Sequence, residues 1–183
     1  MPNKIHSFFS FHFSHDFDRI CTVTDTWLKQ PNTSMTPFIS TAQIIEMMKE
    51  GLPAILRWVN EEVAKSDAVV LLIGSQTEGR YFIEYEIQQA ILQQKPIYGI
   101  HINQVPDKSG KTEAKSLSPL PSLCSHYDWQ EDNGAEHILD WTKRAIQEPI
   151  YQVNTSLEYQ ITAQPPSLEA FQQAKAQFFK NLN

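Results

Sequence analysis

Cysteine is nearly absent: the 183 residues hold only Cys21 and Cys124. Two thiols so far apart make no disulfide framework and no cysteine-built metal site, and both are expected to be reduced. Glycine is also sparse, with 6 residues, and none falls in a phosphate-binding pattern. There is no G-x-G-x-x-G after the first apolar run and no G-x-x-x-x-G-K-[ST], which argues against a Rossmann dehydrogenase or a P-loop enzyme. A G-x-S-x-G nucleophile elbow is missing as well. The 6 histidines show neither H-x-x-x-H nor H-E-x-x-H spacing, so no metal site is expected. No run approaches the ~18 apolar residues of a membrane span. Met1 to Ser10 lacks the charged and apolar regions of a secretory leader. Basic charge is in deficit, with 15 Lys and Arg against 21 Asp and Glu, a formal net charge of −6. Lys108, Lys111 and Lys115 are spread along a polar stretch rather than clustered, so no nucleic-acid surface is expected. These exclusions leave a cytoplasmic globular protein with no membrane partner, and 41% hydrophobic residues suffice for a core.

What is present alternates strand and helix. Ile5 to Phe13 is rich in Phe and reads as a buried first strand. Ser14 suits an N-cap, Asp16 and Asp18 suit the positive end of a helix, and Phe17, Ile20, Cys21, Thr24 and Trp27 recur at helical spacing to about Leu28. Gln30 to Ser40 reads as a loop, with a short strand near Phe38 and Ile39. Thr41 is placed to cap a short helix carrying Ile44, Ile45 and Met48. Gly51 ends it, and Pro53 opens a helix whose apolar stripe is Leu52, Ile55, Leu56, Val59 and Val63. Ala68 to Ile73 is apolar throughout, as a central parallel strand covered on both faces must be. A helix follows from about Arg80 to Gln94, then a strand from Pro96 to Ile102. Asn103 to Leu123 is a polar loop long enough to suggest mobility or function. His126 to Trp129 reads as an edge strand, and Ile138, Leu139, Thr142, Ala145 and Ile146 mark a last helix. The order predicts an α/β fold, a parallel sheet flanked by helices on both faces, with ligands beyond the carboxyl ends of its strands. Phe11 to Ser14 and Gly74 to Gly79 are the loops there. Residues 1–147 read as one domain and 148–183 as an extension with one helix from Leu168 to Leu182, whose stripe of Leu168, Phe171, Ala174, Phe178 and Leu182 suits core packing or a dimer contact.

One carboxylate stands out. At about 100° per residue, with Phe82 at zero, Ile83 falls near ~100°, Ile87 near ~140° and Ala90 near ~80°. Glu86 falls near ~40°, inside this apolar arc, whereas Glu84 falls near ~200°, toward solvent. Burying a carboxylate is costly without partners. Glu86 therefore either caps a loop or pairs with Arg80 or Lys95, or it lines a site.

The runs Phe8-Phe9-Ser10-Phe11-His12-Phe13, Val70-Leu71-Leu72-Ile73-Gly74-Ser75-Gln76-Thr77, Phe82-Ile83-Glu84-Tyr85-Glu86-Ile87 and Ile97-Tyr98-Gly99-Ile100-His101-Ile102-Asn103, in this order and spacing, resemble the TIR-like proteins of bacterial Thoeris antiphage defence. The resemblance spans roughly Lys4 to Gln147. It implies a flavodoxin-like TIR fold and an enzyme that cleaves NAD⁺ to nicotinamide, with NAD⁺ as substrate rather than cofactor. The ADP-ribose part becomes a cyclic ADP-ribose-type signalling nucleotide that reaches a downstream effector, and a homo-oligomer is a further possibility. The W-x-x-x-E pattern of such enzymes aligns with Phe82-Ile83-Glu84-Tyr85-Glu86, which makes Glu86 the catalytic residue and puts Phe82 where the family has Trp. Phe11 and His12 resemble residues that line the nucleotide site. Ser75 is a candidate for ribose or phosphate, or a plain turn residue. Phe82 stacks on a base or packs in the core. Two other readings stay open: a non-catalytic interaction module, and an enzyme acting on another N-glycosidic bond.

Overall fold

A computed structural model describes residues 4–149, 169, 171–173 and 175–176, leaving aside the side chains of residues 13, 14 and 41. The chain runs β1 (Ile5–Ser10), α1 (Phe13–Lys29), β2 (Thr33–Met35), α2 (Thr41–Glu50), α3 (Leu52–Lys65), β3 (Ala68–Ile73), α4 (Tyr81–Leu92), β4 (Ile97–His101), β5 (His126–Asp128) and α5 (Gly134–Gln147). The strands form one five-stranded sheet in the order β2-β1-β3-β4-β5. Every pairing is parallel. This is the flavodoxin-like order that the family resemblance implies, and the all-parallel pairing is what the alternation of elements predicts.

β3 explains why the sheet is doubly covered. All six of its residues are buried, and alternate side chains point to opposite faces. Val70 and Leu72 join Phe9, with Ile20, Val23 and Trp27 of α1 and Ile138 of α5, in one core. Val69, Leu71 and Ile73 join Phe8, with Val59 and Val63 of α3 and Ile83, Ile87 and Ala90 of α4, in the other. Each such aliphatic side chain stabilises the fold by about 1.5–3 kcal/mol on burial, so a run without polar positions commits β3 to the centre.

Three local expectations are corrected. The first strand stops at Ser10, and α1 begins at Phe13 with His12, not Ser14, at its N-cap. Ser14 therefore lies inside the first turn, and no side chain caps this helix. The short strand is β2, Thr33–Met35, rather than Phe38 and Ile39. Ser7 pairs with Met35, and the Thr36 N–H still donates to the Ser7 carbonyl, but Pro37 brings no N–H to extend the ladder. Ser40, one residue before Thr41, caps α2 through a reciprocal box with Gln43.

Residues 102–125 connect β4 to β5 without a helix. Backbone contacts tie this loop down: the Glu113 N–H donates to the Asn103 carbonyl, and Ser116 Oγ donates to the Gly74 carbonyl at 2.6 Å. Lys108 pairs with Asp18 at 3.0 Å and Lys115 with Asp128 at 3.5 Å, where only solvation was expected. Cys21 and Cys124 are both free. Of the expected C-terminal helix, Leu168, Ala174, Phe178 and Leu182 lie outside the described residues. Phe171 is buried against Met48 and Ile55, the core-packing alternative for that position. Among the described residues, no helix is long and apolar enough to cross a membrane.

Candidate active site

Strand parity builds the site. Phe8 faces the α3 and α4 side of the sheet, and Ser10, two residues on, faces the same way. There Ser10 Oγ donates a hydrogen bond of 2.5 Å to Glu86 Oε2, across 76 residues of sequence. Glu86 stands on the second turn of α4 between the buried Tyr85 and Ile87, while Glu84 is exposed, as the helical wheel requires. Neither cation considered for Glu86 reaches it. Arg80 donates to the carbonyl and side-chain oxygens of Gln76. Lys95 donates to the carbonyls of Ala64 and Ser66. Among the described residues Glu86 has no ion pair, and its one hydrogen-bond partner is a neutral hydroxyl. Burial pushes its pKa up to about 7, against which the Ser10 hydrogen bond acts only in part.

Glu86 borders a cavity of about 150 Å³. Its walls are largely aromatic and aliphatic: Phe8, Phe9 and Phe11 at the end of β1, Phe38 and Ile39 from the loop after β2, and Trp58 from α3. Phe11 meets Phe38 edge to face at 5.4 Å, and Trp58 leans on Phe8 at 6.2 Å. Thr36, Pro37, Phe38, Ile39 and Trp58 also wall a wider groove of about 500 Å³, whose far side carries Glu46, Glu50 and Glu62. Pockets that hold small ligands are apolar with a few convergent polar groups. Here the convergent group is one half-buried carboxylate.

The other sequence candidates are distributed unevenly. Phe11 joins Glu86 in the cavity wall. His12, at the N-cap of α1, stacks on His15 at 6.3 Å. Its pKa is lowered to about 4 by burial and then by the nearby Arg80 and His15, so it is neutral at physiological pH. Phe82 turns away from the cavity, packs against the cluster of Met48, Ile55 and Phe171, and meets Tyr81 edge to face at 4.8 Å. Ser75 lies in a second polar cluster. Its Oγ donates to Glu113 at 2.5 Å and is 3.3 Å from His15 Nε2.

That second cluster was not foreseen. It gathers His15, Asp16 and Arg19 from α1 with Glu113 from the long loop, and His15 Nε2 is 2.8 Å from Glu113 Oε1. Asp16 is fully buried, and burial raises its pKa. Arg19 lies 3.6 Å from Asp16 and 3.7 Å from Glu113. It acts against burial at Asp16, whereas Glu113 acts with burial there. At Glu113, burial is outweighed by the Ser75 hydrogen bond and then by Arg19 and His15, which hold that carboxyl below its ordinary value. The sequence holds no local signal for this set, because His15 and Glu113 are 98 residues apart. Trp58 and Ser10 did carry signals. Trp58 lies three residues after Ile55 of the apolar stripe, and Ser10 shares strand parity with Phe8.

A parallel sheet of this order, with helices on both faces and a lone carboxylate in an aromatic cleft beyond β1, defines the class: a TIR-like α/β domain. Residues 8–107 match the family model described as Thoeris protein ThsB, TIR-like domain, and the chain belongs to that family. A protein of Bacillus cereus (strain MSX-D12) named "Putative cyclic ADP-D-ribose synthase ThsB1" is 32% identical over 136 residues, which cover 74% of this chain and 70% of that protein.

Proposed function

We propose that this chain cleaves the bond between nicotinamide and ribose in NAD⁺ and cyclises the ADP-ribose part into a signalling nucleotide in antiphage defence. The observation that carries the reading is the state of Glu86: a carboxylate without a counter-charge, held by Ser10 at the edge of an aromatic cavity. A folding role would be better served by Gln or Met at that place, because an unpaired buried carboxylate costs stability. A cationic nicotinamide ring is the complementary guest, since aromatic walls and a carboxylate both favour positive charge.

The chemistry follows from charge. As the C1′–N bond breaks, its electron pair leaves with nicotinamide, and positive charge moves to the ribose. A preorganised carboxylate stabilises that oxocarbenium-like state. Glu86 faces C1′ and hydrogen-bonds the ribose hydroxyls, and Phe11 and Trp58 flank the base. An internal nucleophile of the adenine part then attacks C1′. Attack by water instead gives simple hydrolysis, and the walls decide by excluding it. The name of the Bacillus cereus protein supports cyclisation. The nucleotide then acts on a downstream effector.

Incubation with NAD⁺, followed by chromatography of nicotinamide and of the nucleotide product, tests the reading. Nicotinamide and a cyclic product are expected from the wild type, and at least about 100-fold less of both from Glu86→Gln. Equal release by the folded variant would refute the assignment.

A further inference from the structure

The polar cluster on the α1 side of β1 and β3 has a use of its own. We infer that His15, Asp16 and Glu113 form a binding site for one divalent transition-metal ion, with Ser75 Oγ as a further oxygen at its edge. Their donor atoms, one imidazole nitrogen and one oxygen from each carboxylate, all lie within 4.8 Å of one another.

Asp16 supplies the independent observation. It is 0% exposed, and neither of its carboxylate oxygens has a hydrogen-bond partner. A buried carboxylate normally gathers several hydrogen bonds. This one lies against the backbone at the end of β3 so closely that a Cβ on Gly74 would stand 2.2 Å from Asp16 Oδ2. Arg19 does not satisfy it. Two of the guanidinium nitrogens are spent on loop carbonyls, Nε on Val105 at 2.8 Å and Nη2 on Lys111 at 3.0 Å. The third stands 3.6 Å from Asp16 and 3.7 Å from Glu113, beyond hydrogen-bond length. Asp16, Glu113 and, at 4.0 Å, Asp107 thus gather round one guanidinium whose hydrogen bonds go to loop carbonyls. A divalent ion would add positive charge there and give the ligating Asp16 oxygen a partner.

The place also suits a ligand. In sheets of this strand order, ligands bind outside the carboxyl ends of the strands where the connections after β1 and β3 diverge. Asp16 and Gly74 stand at that divergence. His15 and Glu113 are 30% and 23% exposed, which leaves an entry path. Metal bonds of about 2.0–2.2 Å set tetrahedral donors about 3.4 Å apart, so the donors, now within 4.8 Å of one another, must draw together on binding. One imidazole with two carboxylates favours Zn²⁺ or Mn²⁺ over Mg²⁺. Glu113 lies outside residues 8–107, the segment matched to the family model, whereas His15, Asp16 and Ser75 lie inside it.

The test is calorimetric titration of the full chain, stripped with EDTA and desalted, with Zn²⁺, Mn²⁺ and Mg²⁺ in separate runs. One equivalent of Zn²⁺ or Mn²⁺ is expected to bind, with Mg²⁺ at least about tenfold weaker. Glu113→Gln and His15→Asn should each weaken the tighter ion at least about tenfold. Both leave Asp16 in place, and circular dichroism in EDTA should show both folded. Absence of one-equivalent binding, equal binding of Mg²⁺, or affinities unchanged in the two variants would each overturn the site.

Discussion

Two sets of carboxylates flank the same pair of strands, and their surroundings differ in kind. Glu86, on the α4 side, touches one neutral hydroxyl and aromatic walls. Asp16 and Glu113, on the α1 side, share Arg19, His15 and Ser75 and hold the long loop to the sheet. The first arrangement leaves negative charge exposed to whatever enters the cavity. The second sets Arg19 3.6 Å from Asp16 and His15 2.8 Å from Glu113, although both Asp16 oxygens lack a hydrogen bond. Residue type alone therefore does not mark the reactive site; what marks Glu86 is an aromatic cavity with no cation beside the carboxylate.

The contrast predicts opposite responses to removing charge, and the largest lies on the α1 side. Arg19→Met leaves two carboxylates facing each other beside a buried position and should destabilise the chain by about 3–5 kcal/mol in urea unfolding. A loss below about 1 kcal/mol would show that Arg19 matters little to the cluster. Gly74→Ala drives a methyl group into Asp16 and should cost about 1–3 kcal/mol. In the Gly74→Ala, Asp16→Ala double variant most of that increment should vanish, and strict additivity would mean that the clash is not what matters.

Glu86→Gln should act the other way on stability. Its folded pKa of about 7 lies above the ordinary carboxylate value. The folded state thus binds the extra proton between those two values, and stability falls as pH rises through that window. Gln resembles the protonated acid, so the variant should melt about 2–6 °C higher than the wild type at pH 8 and nearly level with it at pH 5. Equal melting at pH 8 would indicate that the carboxylate is solvated. The smallest expected effects concern the aromatic residues. Phe11→Ala should raise KM for NAD⁺ about five- to tenfold, whereas Phe82→Leu, buried against Met48 and Phe171, should change it less than about twofold. The reverse order would place Phe82 at the substrate.

The sheet was legible because its signals are local and redundant. Six apolar residues in Ala68–Ile73 admit only a doubly covered strand, and the period of α4 separated Glu86 from Glu84 before any contact was known. Strand order was not contained in periodicity; it came with the family resemblance. The short β2 carries no strong pattern in Thr33–Met35, and its place is set by pairing with β1. Caps slipped by one or two residues because Ser14 and Thr41 are as good in type as the positions used. The α1-side cluster was invisible for a different reason. Its geometry depends on the path of a loop through polar sequence, and long loops take their shape from tertiary contacts that no spacing rule encodes.

The most direct measurement is the pH dependence of nicotinamide release from NAD⁺ at low substrate, which reports free-enzyme groups. If Glu86 must be ionised to hold charge on the ribose, kcat/KM for the wild type should climb about tenfold per pH unit below pH 7 and level off above it. Glu86→Gln should then be slow and flat over the same range. A wild-type profile without an inflection near 7, or a Glu86→Gln profile that keeps it, would contradict the assignment of the chemistry to this carboxylate.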